Sequence, residues 1–401
     1  MGNTLLRIDN ANNITSLQPR RRRIKRRLGS ETKKVINLSD KRNAKDTVLE
    51  IKNLKVNFHT YRGEVKALNG VDLKLCCKEV LALVGESGCG KSVTVQTLIG
   101  LLPENASVLE GEIILDGDNL INKTKEEMRI LRTHDLAIVF QDPMTFLNPV
   151  LTIGTQLEEV VTMDKDLLVE AIAIEKPKQK LDFTDLIKMD DSATEPKNLK
   201  ISRRETKRIA KRLCAAILSL VKLPDQERIL KQYPFELSGG MRQRAMIAMA
   251  LARRPSIFIA DEITTALDVT IQAQILHLLK ELRDKIDAST LMITHDLSVA
   301  AETADRIAVM YGGNVVEVAS SVVLFRRPFH PYAQMLLKAI PNIENPTSRL
   351  EAIPGTVPEM IDPPPGCRFH PRCKYAMDAC TKKRPRLKEV EKGHEVACYL
   401  Y

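Results

Sequence analysis

A glycine-rich segment between an apolar run and a helical pattern constrains this chain more than any other feature. The apolar run, Val80–Val84, has the length of a buried parallel strand, and residues 91–102 have apolar side chains at helical spacing. Between them lies the pattern G-x-x-x-x-G-K-S, formed by Gly85, Glu86, Ser87, Gly88, Cys89, Gly90, Lys91 and Ser92. A strand, a glycine loop and a helix open an α/β unit, so the segment predicts an α/β fold.

The glycine loop has the chemistry of a phosphate-binding loop. Its glycines let backbone N–H groups turn inward around phosphate oxygens, and the positive end of the following helix adds to the attraction. We expect Lys91 to reach the β- and γ-phosphates of a nucleotide and the Ser92 hydroxyl to ligate Mg²⁺. The alternative is a plain glycine-rich turn, and the flanking strand and helix argue against it.

Two further apolar runs end in polar groups that could act on a phosphate. Residues 257–260 and 291–294 suit buried strands, and open α/β sheets bind their ligands at the ends of such strands. Asp261 is placed to hold Mg²⁺, directly or through water, and Glu262 can orient and deprotonate an attacking water. An acidic pair is also common at a plain strand end, so this interpretation depends on the phosphate loop upstream.

Ser238 opens the segment that discriminates best among phosphate-loop proteins. Its hydroxyl predicts an N-cap for a helix that runs through Met249, and the start of such a helix offers free N–H groups to an anion. A simple cap before an amphipathic helix is the alternative. The segment resembles the signature motif of ATP-binding-cassette proteins; its residues are Leu237, Ser238, Gly239, Gly240, Met241, Arg242 and Gln243.

This resemblance implies the fold and its divisions. It implies a P-loop NTPase core of the ATP-binding-cassette type at 47–325, with an antiparallel β subdomain and a helical subdomain at 142–236. Residues 163–211 are rich in Lys, Asp and Glu, which predicts an exposed and partly disordered insertion in the helical subdomain. The Pro-rich region 326–401 predicts an extended, Cys-rich C-terminal appendage.

Other short motifs gain roles from the same resemblance. Gln141, in an F-Q-D-P stretch, resembles the Q-loop that senses the γ-phosphate, helps to hold Mg²⁺ and contacts membrane subunits. Asp268, in an A-L-D stretch, resembles the D-loop. His295 resembles the switch histidine that holds the γ-phosphate, although a lone His at a strand end is ordinarily structural. Tyr61 resembles the aromatic residue that stacks on adenine.

The resemblance also implies a dimer that sandwiches two ATP molecules. Each ATP would lie between the phosphate loop of one subunit and the signature motif of the other. Lys91, Glu262 and His295 would act on the ATP bound by this chain, whereas Ser238 would act on the ATP of the partner. The other nucleotide contacts implied after the phosphate loop are Gly239, Gly240, Gln243 and Asp268. One departure is Ile263, which stands where the family usually has Pro after the catalytic Glu.

Longer stretches resemble the ATPases of dipeptide and oligopeptide importers, of the oligopeptide-permease D type. They are residues 141–145, 148–149, 266–270, 330–332 and 353–358. Such ATPases pair with a homologous second ATPase as a heterodimer, with two transmembrane permease subunits and with an extracytoplasmic peptide-binding protein. The resemblance implies a peripheral ATPase on the cytoplasmic face of the cell membrane that energises peptide uptake.

Three alternative functions remain open from the sequence. Nickel and glutathione importers share much of the same pattern. A non-transport cassette ATPase could act on nucleic acid, but such proteins usually carry coiled coils, zinc modules or a second cassette, so no nucleic-acid partner is expected. A regulatory subunit that binds nucleotide without hydrolysis is disfavoured by Glu262 and His295.

Charge and hydropathy patterning agree with a protein that stays in the cytosol. We find neither an apolar run of about 18 residues nor an apolar core behind the basic N-terminus, so neither a transmembrane helix nor a secretory signal is expected. Residues 1–46 hold 13 Lys/Arg and 4 Asp/Glu, which is +9 of the net +10. They predict a disordered basic tail, either without a role or as an arm for anionic lipids, with a nucleic-acid arm as the least favoured alternative.

Four cysteines in the last 35 residues predict a metal or cluster site, because a cytosolic compartment argues against disulfides. The gaps between them are five, six and seventeen residues. Structural zinc sites usually contain a pair two to four residues apart, so the spacing favours a 4Fe-4S cluster, with zinc or unliganded thiols as alternatives. The importer resemblance implies the same cluster. The four residues are Cys367, Cys373, Cys380 and Cys398.

Overall fold

A computed structural model describes residues 46–140, 146–174, 181–188, 202–265, 267–286, 288–340 and 353–401. In these residues twelve strands are present: β1 (Thr47–Thr60), β2 (Gly63–Cys76), β3 (Val80–Val84), β4 (Ala106–Leu115), β5 (Asp118–Asn119), β6 (Leu136–Val139), β7 (Ile257–Asp261), β8 (Ser289–Thr294), β9 (Arg306–Tyr311), β10 (Asn314–Ser320), β11 (Lys388–Glu391) and β12 (His394–Val396).

The same residues form thirteen α-helices and two short 3₁₀ helices, Pro234–Glu236 and His370–Arg372. The α-helices are α1 (Lys91–Leu98), α2 (Lys125–His134), α3 (Ile153–Thr162), α4 (Lys165–Ile174), α5 (Phe183–Lys188), α6 (Arg203–Leu220), α7 (Gln226–Ile229), α8 (Gly239–Leu251), α9 (Val269–Lys285), α10 (Leu297–Thr303), α11 (Ser321–Arg326), α12 (Pro331–Lys338) and α13 (Asp378–Lys382).

The larger sheet has a parallel centre and an antiparallel edge. Its described strands lie in the order β11-β12-β10-β9-β3-β8-β7-β6. The strands from β9 to β6 are parallel, whereas β10, β12 and β11 add to the edge in antiparallel fashion. Every residue of β3 is buried. The continuous apolar run Val80–Val84 fits this position, because a central parallel strand is covered on both faces.

The smaller sheet is the antiparallel β subdomain expected from the sequence. Its strands lie in the order β2-β1-β4-β5, and β1 pairs with both β2 and β4. Apolar side chains of this sheet, including Leu49 and Ile51, share one buried cluster with Leu81 and Leu83 of the larger sheet. This shared core fixes the smaller sheet against the strand that leads into the phosphate loop.

The helical subdomain differs from the exposed insertion predicted for residues 163–211. Residues 175–180 and 189–201 lie outside the described residues. The helices α4, α5 and α6 pack into the same buried cluster as α3 and α8. Leu167 and Phe183, for example, are almost fully buried. The prediction of exposure was wrong for these helices. The charged residues of α6 are all exposed or partly exposed, while apolar residues of the three helices face the core.

The C-terminal region is also more integrated than the extended appendage predicted for 326–401. β12 pairs with β10, so this region continues the larger sheet. Tyr332 and Phe369 are nearly inaccessible and share a cluster with Tyr311 at the end of β9. Proline content indicated an extended chain, but a few aromatic residues provide an apolar core that proline counting does not register.

Among the helices that the structure describes, none is long and apolar enough to cross a bilayer.

Candidate functional site

Three neighbouring parallel strands end at the same edge of the larger sheet. In the order β3-β8-β7, Val84 lies opposite Thr294 and Asp261 lies opposite Ile293. The phosphate loop follows β3, His295 follows β8, and Asp261 is the last residue of β7. Parallel strands place their carboxyl ends together, and this register explains why groups separated by some 200 residues can serve one site.

The backbone of the phosphate loop requires glycine where it turns into α1. Gly90 has φ of 105° and is the N-cap of α1. A Cβ at this position would lie 2.7 Å from Leu68 Cδ2. At Gly85, an added Cβ would collide with the carbonyl oxygen of Met310. The loop is therefore held tightly against β9, which leaves room for glycine alone at these points.

Lys91 lies inside the loop that it follows. Its side chain is buried, and Nζ donates to the carbonyl oxygens of Gly85, at 2.8 Å, and Glu86, at 3.2 Å. A buried ammonium group needs such acceptors, because loss of hydration destabilises the charge. The lysine is thus positioned at the loop, as the sequence predicts, next to Ser92 in the first turn of α1.

Asp261 and Glu262 form an acidic pair with different environments. Burial, together with the charge of Glu262, raises the pKa of Asp261 to about 6, and nearby Lys91 acts in the opposite direction. A carboxylate in this setting is stabilised by a cation. Asp261 therefore suits a Mg²⁺ site, in which Asp261 and the Ser92 hydroxyl would hold the ion.

Glu262 has a left-handed backbone, with φ of 48°. Non-glycine residues seldom adopt this conformation, and such residues concentrate at functional sites. Its N–H donates to the carbonyl oxygen of Ile293 at 2.9 Å, and its Oε1 lies 3.3 Å from His295 Nδ1. The turn therefore brings the predicted base and the predicted switch histidine into contact, although His295 remains half exposed.

The predicted signature segment begins α8 as expected. Ser238 is the N-cap, and its Oγ accepts a hydrogen bond from Met241 N at 3.3 Å. Ser238 is exposed and Gly239 is partly exposed. Gly240 is buried, and a Cβ there would lie 2.7 Å from Ile271 Cγ2. The exposed Ser238 cap is therefore accessible to a second molecule.

Gln243 departs from its predicted role as a nucleotide contact. Its side chain is 1% exposed, and its Nε2 has no hydrogen-bond partner in the described part of the chain. It lies on the inner face of α8, one turn from Ser238, so in this chain it does not share the exposed surface of the cap. The prediction grouped Gln243 with Ser238 and the two glycines as nucleotide contacts, whereas the helix period turns this residue toward the core.

The remaining predicted residues have varied placements. Asp268 is the N-cap of α9 and accepts from Ile271 N at 2.9 Å. Tyr61 is 92% exposed at the turn between β1 and β2, with its ring beside the Arg62 guanidinium. Gln141 lies outside the described residues, as do 1–45. Ala266, two residues before Asp268, also lies outside them.

The four C-terminal cysteines line one small cavity with His330 and His370. All four are free of disulfides, and the N–H of Cys367 donates to the carbonyl oxygen of Cys380 at 2.8 Å. Burial raises the pKa of Cys367 to about 11, with the neighbouring thiols acting in the same direction. In the described residues, no group of three or more His, Cys, Asp or Glu is arranged to hold a metal ion.

Two residues of the C-terminal region reach the phosphate loop, and sequence reasoning missed both. Tyr332 accepts a hydrogen bond from the N–H of Glu86, and Arg372 forms an ion pair with the Glu86 carboxylate. Glu86 itself could have indicated such a partner, because a carboxylate within a phosphate loop is stabilised by a nearby cation. The position of that cation, 286 residues later, is set by tertiary structure alone.

The parallel sheet, the phosphate loop and the acidic pair define a nucleotide-hydrolysing domain of the ATP-binding-cassette class. Residues 68–265 match the family described as ABC transporter, and residues 316–380 match the family described as oligopeptide/dipeptide transporter, C-terminal region. The chain belongs to the family of dipeptide and oligopeptide transport ATP-binding proteins, and it is an ATPase.

Similarity to the curated relatives extends over most of the chain. The dipeptide transport ATP-binding protein DppD of Bacillus subtilis is 43% identical over 88% of this chain and 95% of its own length. The oligopeptide transport ATP-binding protein AppD of the same organism is 42% identical over 88% of this chain and 97% of its own length. OppD of that organism is 42% identical over 88% of both chains.

Solved structures agree with the fold. The dimer of the ATP-binding cassette MJ0796 in a post-hydrolysis state, bound to ADP and phosphate, is 25% identical, with a TM-score of 0.50; the match covers 68% of this chain and 98% of that one. The structure of cbiO1 from Clostridium perfringens, part of the ABC transporter complex cbiONQ, is 22% identical with a TM-score of 0.52; the match covers 71% of this chain and 92% of that one.

Proposed function

We propose that this chain energises uptake of dipeptides or oligopeptides as one ATPase subunit of an importer on the cytoplasmic face of the cell membrane. The observation that carries the proposal is the meeting of the phosphate loop, Asp261 and the Glu262–His295 pair at one sheet edge, in a chain whose relatives are named for peptide transport. A nickel or glutathione importer is the alternative within the same class.

The residues at the sheet edge divide the chemistry of ATP hydrolysis among them. Lys91 and the loop N–H groups would hold the β- and γ-phosphates, and Tyr61 would stack on adenine. Glu262 would accept the proton of the attacking water, while His295 holds the γ-phosphate. A bound Mg²⁺ would supply positive charge at the phosphate oxygens, with Ser92, Asp261 and Gln141 to hold it.

The exposed cap of α8 supports a composite site in a dimer. Ser238 and Gly239 would bind the ATP of a homologous second ATPase, whose own signature motif would complete the site at Lys91. Asp268 would lie at the same interface. Two permease subunits and an extracytoplasmic peptide-binding protein would complete the importer, with the segment at Gln141 as the contact to the permease.

Transport measured in proteoliposomes tests the proposed function. The complex would be assembled from this chain and the proteins encoded by neighbouring genes, and uptake of a labelled dipeptide, labelled tripeptide, nickel and glutathione would be compared. We expect ATP-dependent uptake of a peptide that is lost with Glu262→Gln. Uptake of nickel or glutathione instead would replace the proposed substrate, and ATPase activity without any transport would remove the importer assignment.

We propose that the cavity lined by Cys367, Cys373, Cys380 and Cys398 holds a 4Fe-4S cluster with a structural role. Support comes from the donor set, since four unpaired thiols around one cavity suit a cluster with four thiolate ligands. Burial raises the pKa of Cys367, Cys373 and Cys398, so a bound cation would help these three thiols to ionise. Zinc is the alternative with the same donors.

Metal analysis of the full chain distinguishes these outcomes. Anaerobic purification followed by iron, sulfide and zinc analysis and a visible spectrum should show iron and sulfide in equal amounts. About one zinc per chain and no colour would replace the cluster with zinc. Metal-free protein that is folded and active would overturn the proposal. Cys76→Ser, at a cysteine far from this cavity in sequence, serves as the control for loss of a thiol.

A further inference from the structure

Glu86, the second residue of the phosphate loop, is held by Lys91 of the same loop and by two residues of the C-terminal region. Its carbonyl oxygen accepts from Lys91 Nζ at 3.2 Å. Its N–H donates to the Tyr332 hydroxyl at 3.0 Å, and its carboxylate oxygens accept from Arg372 Nη1, at 2.9 Å, and Nη2, at 3.4 Å. The bidentate pairing fixes the orientation of the Glu86 side chain as well as its position.

Arg372 is itself held rigidly. Its side chain is only 6% exposed, its Nε donates to the carbonyl oxygen of Pro354 at 2.8 Å, and its Nη1 also donates to the Tyr311 hydroxyl at 3.3 Å. A guanidinium that is buried and bonded on several sides has little freedom, so it transmits the position of the C-terminal region to its partner. The residue that follows it is Cys373.

Tyr332 is equally constrained. It is fully buried, and its ring packs against Tyr311 at 4.6 Å and Phe369 at 5.4 Å between ring centroids. Its hydroxyl therefore presents an acceptor to Glu86 N from a fixed direction. Tyr332 and Arg372 both belong to the region around the cysteine-lined cavity. Tyr332 contacts the backbone of Glu86, and Arg372 contacts its side chain.

The loop can bind phosphate well only in a conformation in which its N–H groups converge on the phosphate oxygens. We propose that Arg372 and Tyr332 are positioning residues that hold the phosphate loop in its nucleotide-binding shape through Glu86. The C-terminal region thereby contributes to ATP affinity, although its residues lie outside the ATP-binding motifs. The inference rests on the ATPase activity of the family and does not depend on which substrate is transported.

Steady-state kinetics of the full chain can separate this role from a structural one. We expect Arg372→Gln to raise the KM for ATP about tenfold with little change in kcat, since a hydrogen bond to a charged group is lost at the loop. Arg372→Lys should recover part of the affinity. Arg327→Gln is the matched control, because this arginine of the same region pairs with Glu391 on the surface. Thermal unfolding of each variant checks that the protein is folded at the assay temperature, so that a change in KM reports on the nucleotide site.

A double-mutant cycle tests whether Arg372 acts through Glu86. We expect Glu86→Gln to raise KM to a similar degree, and the double variant to be little worse than either single one. Tyr332→Phe removes only the hydroxyl acceptor and provides a second test if Arg372→Gln fails to fold. An unchanged KM in Arg372→Gln and Tyr332→Phe, or effects of Arg372 and Glu86 that multiply, would overturn the proposal. Failure of the wild type to bind ATP would instead contradict the ATPase assignment.

Discussion

At the scale of single residues, the conformation of Glu262 is the most informative feature. The left-handed turn directly after β7 directs its carboxylate to His295 and leaves Asp261 beside Lys91. Two adjacent carboxylates thus face different partners. This separation is what a site needs if one carboxylate holds a metal ion and the other accepts a proton.

Glu262→Gln should therefore bind ATP as the wild type does but turn it over about 10²–10⁴-fold more slowly, because the amide cannot accept a proton. Nucleotide binding by equilibrium titration and phosphate release at saturating ATP measure the two effects. Glu302→Gln, at an exposed carboxylate on α10 that pairs with Lys280, is the matched control. Retention of more than half of the wild-type rate would contradict the role of Glu262.

At the scale of elements, a buried ion pair joins the helical subdomain to the strand of the acidic pair. Arg254 Nη2 lies 2.6 Å from Glu170 Oε2, and both side chains are less than 10% exposed. Arg254 Nη1 also donates to the carbonyl oxygen of Leu186 at 2.6 Å. One arginine before β7 therefore fixes both α4 and α5, which lie in the segment predicted to be exposed.

Removing one partner of this pair should destabilise the chain strongly. Glu170→Ala leaves the Arg254 guanidinium buried without its carboxylate, which typically costs about 3–5 kcal/mol. Urea unfolding followed by circular dichroism measures the change in free energy of unfolding. Glu159→Ala, at an exposed glutamate of neighbouring α3, should change it little. Equal stability of the two variants would show that the pair does not hold α4 in place.

Helix α12 is capped at its N-terminus by a neutral histidine, His330. His330 Nδ1 accepts from Tyr332 N at 3.1 Å, the N–H of His330 donates to Glu317, and burial lowers the pKa of His330 to about 3. Because the unfolded chain binds this proton more readily, the cap contributes its full stability above the ordinary His pKa of 6.5. That stability is lost as the pH falls from there toward 3.

Acidification from pH 7.5 to pH 5 should thus remove about 2 kcal/mol of stability through His330. The measurement is urea unfolding of the wild type and of His330→Asn at both pH values, since an Asn cap accepts the same hydrogen bond and does not titrate in this range. We expect the wild type to lose about 2 kcal/mol more than His330→Asn between pH 7.5 and pH 5. An identical loss in both would assign the acid sensitivity to other groups.

At the scale of the whole molecule, the C-terminal region is built into the catalytic domain. β12 continues the larger sheet, Arg368 Nη1 donates to the carbonyl oxygens of Lys66 and Gly312, and Arg372 reaches the phosphate loop. These contacts join β2, the β9–β10 turn and the loop to one module. A change in the cysteine-lined cavity would therefore act on the nucleotide site through packed structure and not through a flexible linker.

The exposed cap of α8 leads to a prediction about the assembled protein. Ser238→Arg should leave nucleotide affinity of the isolated chain unchanged and should block hydrolysis in the complex with the second ATPase, because the bulky cation would obstruct the partner's ATP. Ser202→Arg is the matched control, since Ser202 is also an exposed N-cap, on α6. Both lose a cap worth about 1 kcal/mol. Loss of ATP binding by the isolated Ser238→Arg chain would rule out action across the dimer.

The sequence by itself determined the ATP-binding-cassette class and the principal groups of the site. The phosphate loop, the acidic pair and His295 follow strands whose apolar runs are readable, and β3 spans the predicted residues. These features are local, because a buried strand and a glycine turn depend on nearby residues in the chain. The importer family could also be identified from the sequence, because its different motifs occur along the chain in the expected order.

Only the tertiary structure decided the packing of α4 to α6, the inward orientation of Gln243 and the contacts of Arg372 and Tyr332 with Glu86. From sequence alone, charge-rich helices are predicted to be exposed, because the segments that cover their apolar faces are not known. A sequence motif also does not show which of its side chains faces the core. A cation 286 residues from its carboxylate leaves no pattern in the chain. Such contacts arise where distant segments meet, which is set by the packing of the whole molecule.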